Sequence, residues 1–399
     1  MLHSYAFSNH RSFLGRVDIS LTLTEKDAVN GWDVVSPVSG QRLTTAMAVI
    51  GPNASGKTAL LQPLAFIAWF IRGSFGAAPD SEIPVVPHFR GTNLPSDFEV
   101  ITDGIEEGTL LRYSLSATSA HVVTEVLERK QRRGQWHKIF RREMTREGKY
   151  RIEQTGFGLD QTQAENVRPN VSLISWAAQF GVSFAQRLTE FVFTSNVNIM
   201  GRTIWPRNDD MGATVTKFFA ENEAMRVRMR DLLAKWDLGL SDVEFQQIEN
   251  VSPSGEKKKD WLALGIHRDM SKNRYVLPFG YESSGTKAAY LLLGIFLPVL
   301  DRGGVIAYDE LESDLHPHML EPLLDLFSNP ETNPHNAQLI FTCHAIGVLR
   351  LLQKAQVVLV EKDGLESQAW RLDSMEGVRI DDNRVVKYLS GAYGAIPRL

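Results

Sequence analysis

The chain has 399 residues, of which 43% are hydrophobic and 23% charged, with a formal net charge of −4. This length and composition predict two or three domains with a large buried core, and the mild acidity argues against a surface wholly devoted to nucleic acid. The single cysteine, Cys343, excludes an internal disulfide and favours a reducing, cytoplasmic compartment. The longest apolar runs fall well short of the roughly 20 residues of a membrane span, so no membrane contact is predicted.

A glycine-rich segment follows the first predicted strands. The apolar run Ala46–Ile50 leads into Gly51-Pro-Asn-Ala-Ser-Gly-Lys-Thr58, and the apolar residues 59–72 then predict a buried helix. In such a pattern backbone N–H groups surround a polyphosphate, Lys57 reaches the β- and γ-phosphates, and the Thr58 hydroxyl binds Mg²⁺. The segment therefore predicts an ATP-binding loop with Mg²⁺ at Thr58. The predicted nucleotide-binding residues of this loop are Asn53, Ser55, Gly56, Lys57 and Thr58.

A run of strands is predicted after this helix. Residues 79–95 hold four prolines and are expected to form a surface connection. Alternating apolar and polar residues, separated by turns such as Asp103-Gly104, then predict a meander of strands. The predicted strands are 98–102, 110–116, 122–127, 138–142 and 150–153.

Within this meander, residues 129–151 are strongly basic, with ten Lys or Arg against Glu143 and Glu147. One interpretation is the solvated face of a hairpin. The other is a docking surface for nucleic acid or an acidic protein, because clustered cations release counterions when they bind phosphates. Trp136 and Phe140 would add stacking surfaces for bases.

Residues 161–250 are predicted to be mostly helical, with 217–236 the clearest helix and Gly239 its end. Strand character returns at residues 261–266 and 275–277. A long apolar helix is expected at 288–300.

Two carboxylates follow an apolar strand far along the chain, in Gly303-Gly-Val-Ile-Ala-Tyr-Asp-Glu310. In a protein with a phosphate loop, Asp309 is expected to hold the Mg²⁺ shell and Glu310 to polarise the attacking water. Without such a loop, the pattern would be only a strand that ends in a polar turn. The two segments together predict nucleotide hydrolysis.

Two weaker signals flank this pair. Ser283-Ser-Gly285 precedes the apolar helix and would present N–H groups and hydroxyls to phosphate oxygens, although such a motif is often only a helix cap. Another apolar strand, 338–343, ends in His344, which taken alone is an ordinary histidine. Each signal is weak alone, but both become informative because of their order along the chain relative to the phosphate loop and the Asp309-Glu310 pair.

The order of phosphate loop, Ser-Ser-Gly, Asp-Glu and His resembles the ABC-type ATPase heads of the SMC, RecF and OLD families. The resemblance implies an α/β head with an N-terminal antiparallel strand meander and an inserted helical subdomain. The implied parts are head residues 1–160, a helical insertion at 161–250 and head residues 251–399, which carry the later motifs. The insertion is expected to form a compact lid or an oligomer interface.

In those families two heads sandwich two ATP molecules. The resemblance therefore implies a homodimer or higher homo-oligomer with shared ATP sites. It implies catalytic roles for Lys57, Glu310 and His344, the last as the switch histidine. The residues implied to contact nucleotide across the interface are Ser283, Ser284, Gly285 and, in the subunit-crossing loop, Asp314.

Three further strings resemble the stand-alone AAA-type ATPases of bacterial anti-phage operons, such as RloA and the AriA subunit of PARIS systems. They are Glu282-Ser-Ser-Gly-Thr, the Asp-Glu-Leu-Glu…Leu-His-Pro block after residue 308, and the segment from Tyr388 to Pro397. This resemblance implies a cytoplasmic sensor ATPase that controls a separately encoded nuclease effector. Too few residues follow His344 for a Toprim nuclease domain, so any nuclease is expected to act in trans. The alternative is a DNA-repair ATPase of the RecF or SMC kind that clamps DNA when ATP drives its dimerisation.

Overall fold

The computed structural model describes residues 1–25, 27, 31–198, 201–202, 210–236, 238–251 and 257–397. In chain order the strands are β1 (Leu2–Ser8), β2 (Val17–Ser20), β3 (Asp33–Val35), β4 (Arg42–Thr44), β5 (Ala46–Ile50), β6 (Ser96–Asp103), β7 (Thr109–Ala117), β8 (Val122–Gln131), β9 (Trp136–Met144), β10 (Tyr150–Gln154), β11 (Phe193–Ser195), β12 (Val197–Asn198), β13 (Gly201–Arg202), β14 (Asp242–Val251), β15 (Lys257–Arg268), β16 (Arg274–Pro278), β17 (Val305–Tyr308), β18 (Gln338–Cys343), β19 (Val357–Asp363) and β20 (Glu366–Arg371). The helices are α1 (Lys57–Gly73), α2 (Gln161–Glu165), α3 (Leu173–Gln179), α4 (Ser183–Thr189), α5 (Asp210–Glu221), α6 (Glu223–Lys235), α7 (Ser284–Arg302), α8 (Leu320–Ser328), α9 (Val348–Leu351) and α10 (Arg384–Leu389).

A six-stranded central sheet has the strand order β11-β17-β18-β5-β19-β20. Its strands are parallel except β20, which runs antiparallel to β19. The middle strand β5 is apolar at every position because both of its faces are buried. Ala46, Ala48 and Ile50 pack in one core, whereas Met47 and Val49 pack in the other. The carboxyl ends of β5, β17 and β18 therefore meet at one edge, where ligands of such sheets bind.

A seven-stranded antiparallel sheet, of order β10-β9-β8-β7-β6-β1-β2, contains the predicted meander. Helix α1 lies between the two sheets and its apolar side chains, such as Leu61 and Phe66, join both to one core. With the turn that follows it, α1 is the one helix in the described ranges that is long and apolar enough to cross a membrane. Of its most apolar window, 56% is buried inside the protein. The predicted α/β class with an N-terminal antiparallel meander is confirmed.

The prediction of helices over 161–250 needs correction at several strands, among them the short pair β12 and β13. Residues 193–195 form β11 at the edge of the central sheet, and residues 242–251 form β14, which pairs with β15. A three-residue strand is too short to show a period, and its place beside β17 is set by tertiary packing. The long predicted helix is also split, because Asn222 caps α6 through Met225 N–H. Residues 199–200, 203–209 and 237 of this segment lie outside the described residues, and the three-part division of the chain stays a prediction.

Candidate functional site

The phosphate loop, residues 51–56, joins the end of β5 to the start of α1. A Cβ atom on Gly51 would lie 2.1 Å from the Val360 carbonyl oxygen. Gly56 has a φ of 112°, and a Cβ there would lie 2.7 Å from Ser367 Oγ. Both glycines are therefore required, one for close packing and one also for a left-handed backbone.

The loop is lined by donor groups. Lys57, only 7% exposed, donates from Nζ to the carbonyl oxygens of Gly51 at 3.0 Å and Pro52 at 2.9 Å. Burial lowers the pKa of Lys57, while the carboxylates of the neighbouring acidic residues oppose that shift. Ser55 Oγ is buried and has no hydrogen-bond partner in the described part of the chain, whereas Asn53 is exposed at the tip of the loop. An anion between Lys57 and Ser55 would find cationic and hydroxyl donors in place.

Asp309 lies at the end of β17 and is 1% exposed. Its Oδ2 accepts a hydrogen bond from Thr58 Oγ1 at 2.9 Å, and its Oδ1 accepts one from Thr342 Oγ1 at 2.6 Å. Asn196 holds the Asp309 backbone, since its amide accepts from Asp309 N–H at 2.7 Å and donates to the Asp309 carbonyl at 2.9 Å. The residues predicted to hold the metal are thus brought together although 251 positions separate them.

The oxygen set of Thr58 and Asp309 fits Mg²⁺. This ion prefers hard oxygen ligands and is commonly held by one or two protein groups together with phosphate oxygens and water. Across the described ranges no group of three or more His, Cys, Asp or Glu could hold a metal by itself. The arrangement therefore suits a metal that arrives with nucleotide.

Glu310 follows Asp309 in a left-handed conformation with a φ of 53°. For a glutamate this backbone is uncommon, and such conformations cluster at functional sites. The Glu310 N–H donates to Thr342 Oγ1 at 2.7 Å, and Ser313 Oγ donates to Glu310 Oε2 at 3.1 Å. One hydroxyl, that of Thr342, therefore fixes both members of the carboxylate pair.

Ser283, Ser284 and Gly285 form the N-terminus of α7, as predicted from sequence. Ser283 is the N-cap, and its Oγ accepts from Thr286 N–H at 3.1 Å. Ser284 is exposed, and a Cβ on Gly285 would lie 3.3 Å from the carbonyl oxygen of Asp314. Asp314 is itself exposed and has a left-handed φ of 64°. The Ser-Ser-Gly turn and the Asp314 loop thus share one surface, while their described contacts do not reach the phosphate loop.

His344 is exposed at the end of β18, beside the ends of β5 and β17. Its backbone N–H donates to Glu312 Oε1. The strand pairing therefore places His344, Glu310 and the phosphate loop at the same edge of the sheet.

Two residues of the site were missed by sequence reasoning. Asn196 falls in a segment predicted to be helical, and Thr342 had no role beyond its place in an apolar strand. Neither residue type signals a site by itself. The feature that could have drawn attention to both is their position at the end of a strand beside β17: Asn196 directly follows β11, and Thr342 is the residue before the last in β18.

Five of the ten cations in the basic segment 129–151 form described ion pairs within the meander. Arg142 is 0% exposed and pairs with the equally buried Glu125. Phe140 is also fully buried, so the expectation that it stacks on bases is wrong. The guanidinium of Arg112 lies 4.5 Å from the Trp136 ring centre and the ammonium of Lys130 lies 5.7 Å from it.

Further pairs occupy several remaining cations of the segment. They are Arg129 with Glu106, Lys138 with Glu153, Arg141 with Glu143, and Arg151 with Glu153. Ion pairs thus cover about half of this segment, whereas Arg133, Arg146 and Lys149 are exposed in its turns with no described ion pair.

A comparison with protein families matches residues 46–350 to the family described as "AAA domain, putative AbiEii toxin, Type IV TA system". No curated protein matches the sequence significantly. Among solved structures, an Smc head domain with a coiled coil and joint from Pyrococcus yayanosii is 11% identical, covers 98% of this chain and 99% of its own, and has a TM-score of 0.42. The recombination mediator RecF with ATP is 11% identical, covers 86% and 91%, and has a TM-score of 0.27. The family match spans the phosphate loop, the Asp309-Glu310 pair and His344, and the chain belongs to this AAA family.

Proposed function

We propose that this protein is a Mg²⁺-dependent ATPase whose active sites are each completed by a second copy of the chain. The observation that carries the proposal is the hydrogen-bonded path from Thr58 through Asp309 and Thr342 to Glu310. It joins a phosphate cradle to a carboxylate that is held at the same sheet edge. That combination is what water-driven phosphoryl transfer requires.

Each residue has a role in this proposal. Lys57 and the N–H groups at the start of α1 stabilise charge on the β- and γ-phosphates. Mg²⁺, held by Thr58 and Asp309, would neutralise phosphate charge and orient the leaving group. Glu310 accepts a hydrogen bond from the attacking water and orients it in line, and His344 donates to the γ-phosphate.

The second copy is invoked because the Ser-Ser-Gly turn projects beyond its own site. Helix α7 has 19 residues and so is about 28 Å long, whereas the four residues of β17 span about 13 Å. Because α7 contacts β17 and the chain turns at Gly303 and Gly304 between them, we infer that the start of α7 extends past the end of β17. Three large apolar side chains are exposed in the segment before this turn, which favours a covered surface. They are Tyr275 at 56%, Val276 at 43% and Tyr281 at 79%.

The biological role that we propose is a cytoplasmic sensor of an anti-phage system that controls a separately encoded nuclease. The support is the family description, which refers to a putative toxin of a type IV TA system, together with the resemblance to RloA and AriA. The DNA-clamp alternative would need an open cationic surface. Since ion pairs are described for five of the ten cations of the basic segment, and one of these cations is fully buried, the segment gives this alternative limited support and the sensor role is favoured.

A mixing experiment tests the composite site. Ser284→Arg should abolish ATP turnover because the bulk and charge of the arginine would disrupt the partner's active site. The variant should still bind ATP at its own phosphate loop. Mixed with Lys57→Ala subunits, it should regain turnover, because one site of a mixed dimer combines Lys57 from one chain with Ser284 from the other. The measurement is ATP turnover against mixing ratio under conditions of subunit exchange.

The control is Ser374→Arg, which changes an exposed serine away from the motifs and should turn over ATP normally. A flat, inactive curve with confirmed mixed dimers would contradict shared sites, provided that a covalently linked dimer with one mutated site stays active and so shows that one intact site can work alone. ATP turnover by the Ser284→Arg protein alone would contradict the role of the turn.

A further inference from the structure

A third carboxylate, Glu312, lies on the turn between the two left-handed residues Glu310 and Asp314. The turn is closed by Ser313 N–H donating to the Glu310 carbonyl and Leu315 N–H donating to the Glu312 carbonyl. From its centre, Glu312 Oε1 accepts the hydrogen bond from His344 N–H. One side chain therefore ties the turn after β17 to the end of β18.

The other oxygen of Glu312 is costly to bury. Oε2 is shielded from solvent and has no hydrogen-bond partner within the described ranges. An unsatisfied buried carboxylate oxygen carries a desolvation penalty that a purely structural tie would avoid. The carboxylate also acts on two neighbours in the site. Its charge and its closeness to the Cys343 thiol add to the rise that burial gives the pKa of Cys343, although the two groups do not meet hydrogen-bond geometry, and its charge opposes the fall that burial gives the pKa of Lys57.

The turn connects two functional surfaces. Glu310 and His344 lie at the sheet edge with the phosphate loop, whereas the Asp314 carbonyl packs against Gly285 on the exposed surface of the Ser-Ser-Gly motif. Glu312 Oε1 joins this turn directly to the His344 backbone, and other hydrogen bonds join the turn to Thr342, two residues earlier in β18. The ties described are Leu311 N–H to the Thr342 carbonyl and Glu310 N–H to Thr342 Oγ1.

We infer that Glu312 is a positioning residue that couples His344 to the turn bearing Glu310 and Asp314, and so links phosphate contact in one subunit to the surface offered to the second. This inference rests on the proposed ATPase function. It assigns Glu312 a role as a hydrogen-bond acceptor of fixed length and not as the base that orients water.

Three substitutions separate these roles. Glu312→Gln keeps an acceptor at the same distance and removes the charge, so kcat should stay within about threefold of the parent. Glu312→Ala removes the acceptor, and Glu312→Asp keeps the charge but falls short of His344 N–H. Both should lower kcat by about 10- to 100-fold, the scale seen when a supporting residue of a site is lost. KM and the affinity for a non-hydrolysable ATP analogue should change by less than about threefold in all three, since the phosphate loop is intact.

Analogue-driven dimerisation, measured by size-exclusion chromatography, gives a readout besides turnover and should be weakened in the Ala and Asp variants only. Glu331→Ala, at an exposed glutamate, is the matched control and should match the parent. If Glu312→Gln lost as much kcat as Glu312→Ala, the inference would be overturned, because the charge of the side chain and not its reach to His344 N–H would then matter. Parental kcat and dimerisation in Glu312→Ala would overturn it as well. If Glu310→Gln retains full turnover, the proposed function fails instead, and the two failures are thereby distinguished.

Discussion

The antiparallel meander and the nucleotide edge of the central sheet both bury charged groups, but they satisfy them differently. In the meander, Arg142 donates to the carbonyls of Val171 and Arg168, each at 2.7 Å, and only its Nε lacks a partner. Glu125 accepts from Tyr113 Oη at 2.9 Å, from Ser172 Oγ at 2.7 Å and from Leu173 N–H at the start of α3. The pair thereby fastens the helices after the meander to its strands.

At the nucleotide edge of the central sheet, by contrast, the hydrogen-bonding capacity of the polar groups is only partly used. Ser55 Oγ and Glu312 Oε2 are buried without partners among the described residues, and Lys57 is held only by two loop carbonyls. A buried charge that is enclosed by its own network stabilises a fold, whereas open donors near a carboxylate pair suit a charged ligand. The two regions should therefore respond differently to the loss of one charged side chain.

The largest expected effect on stability is in the meander. Arg142→Met would leave Glu125 buried and unpaired, which typically costs about 3–5 kcal/mol of unfolding free energy. The measurement is urea unfolding, with Arg141→Met as the control at a neighbouring, partly exposed position. ATP turnover per folded molecule should not change. A loss below about 1 kcal/mol, the range of surface ion pairs, would show that the enclosed pair is not a structural tie.

At the sheet edge, Glu310→Gln should lower ATP hydrolysis by at least about 100-fold, the usual scale for a catalytic base, and leave ATP binding intact. Unfolding free energy should stay near the parental value, in contrast to Arg142→Met. Single-turnover hydrolysis and analogue binding measure the two effects. Glu331→Gln, an exposed control, should hydrolyse ATP normally, and parental turnover by Glu310→Gln would place the catalytic role elsewhere.

Lys57→Ala should weaken ATP binding by at least about tenfold, because a charge-assisted hydrogen bond to phosphate contributes roughly 1.5–3 kcal/mol. The fold should survive, since the described hydrogen bonds of Lys57 go to two loop carbonyls and burial opposes the charge of its ammonium group. Titration with a fluorescent ATP analogue measures the affinity, and Lys149→Ala provides an exposed control. Unchanged ATP affinity would remove the phosphate loop from the site.

The smallest effect is expected in the two turns that flank β9, where no ion pair is described for Arg133, Arg146 and Lys149. Replacing all three by alanine should change affinity for duplex DNA by less than about threefold at 150 mM salt, because few cations here are available to release counterions. Fluorescence anisotropy measures the binding. A large loss of affinity, with a reduced salt dependence, would instead support the DNA-clamp alternative.

Sequence alone determined the elements whose chemistry is local. Gly51, Gly56 and Lys57 predict the phosphate loop, because such a loop needs glycines for close packing and a left-handed backbone, and a lysine at a fixed spacing from them. The strands of the meander were predictable because residues that alternately face core and solvent alternate between apolar and polar. Strand β5 was predictable because both of its faces are buried, which makes the whole strand apolar. In each case the physical cause acts over a few neighbouring residues.

Only the tertiary structure decided what depends on distant segments. Asn196 and Thr342 have no local signature, yet the pairing of β11, β17 and β18 places both against Asp309. Likewise Arg142 is indistinguishable in sequence from the basic residues around it, and its burial against Glu125 follows from the register of β8 and β9. Partners across a sheet are set by packing, so composition cannot tell a structural cation from one that is open to a ligand.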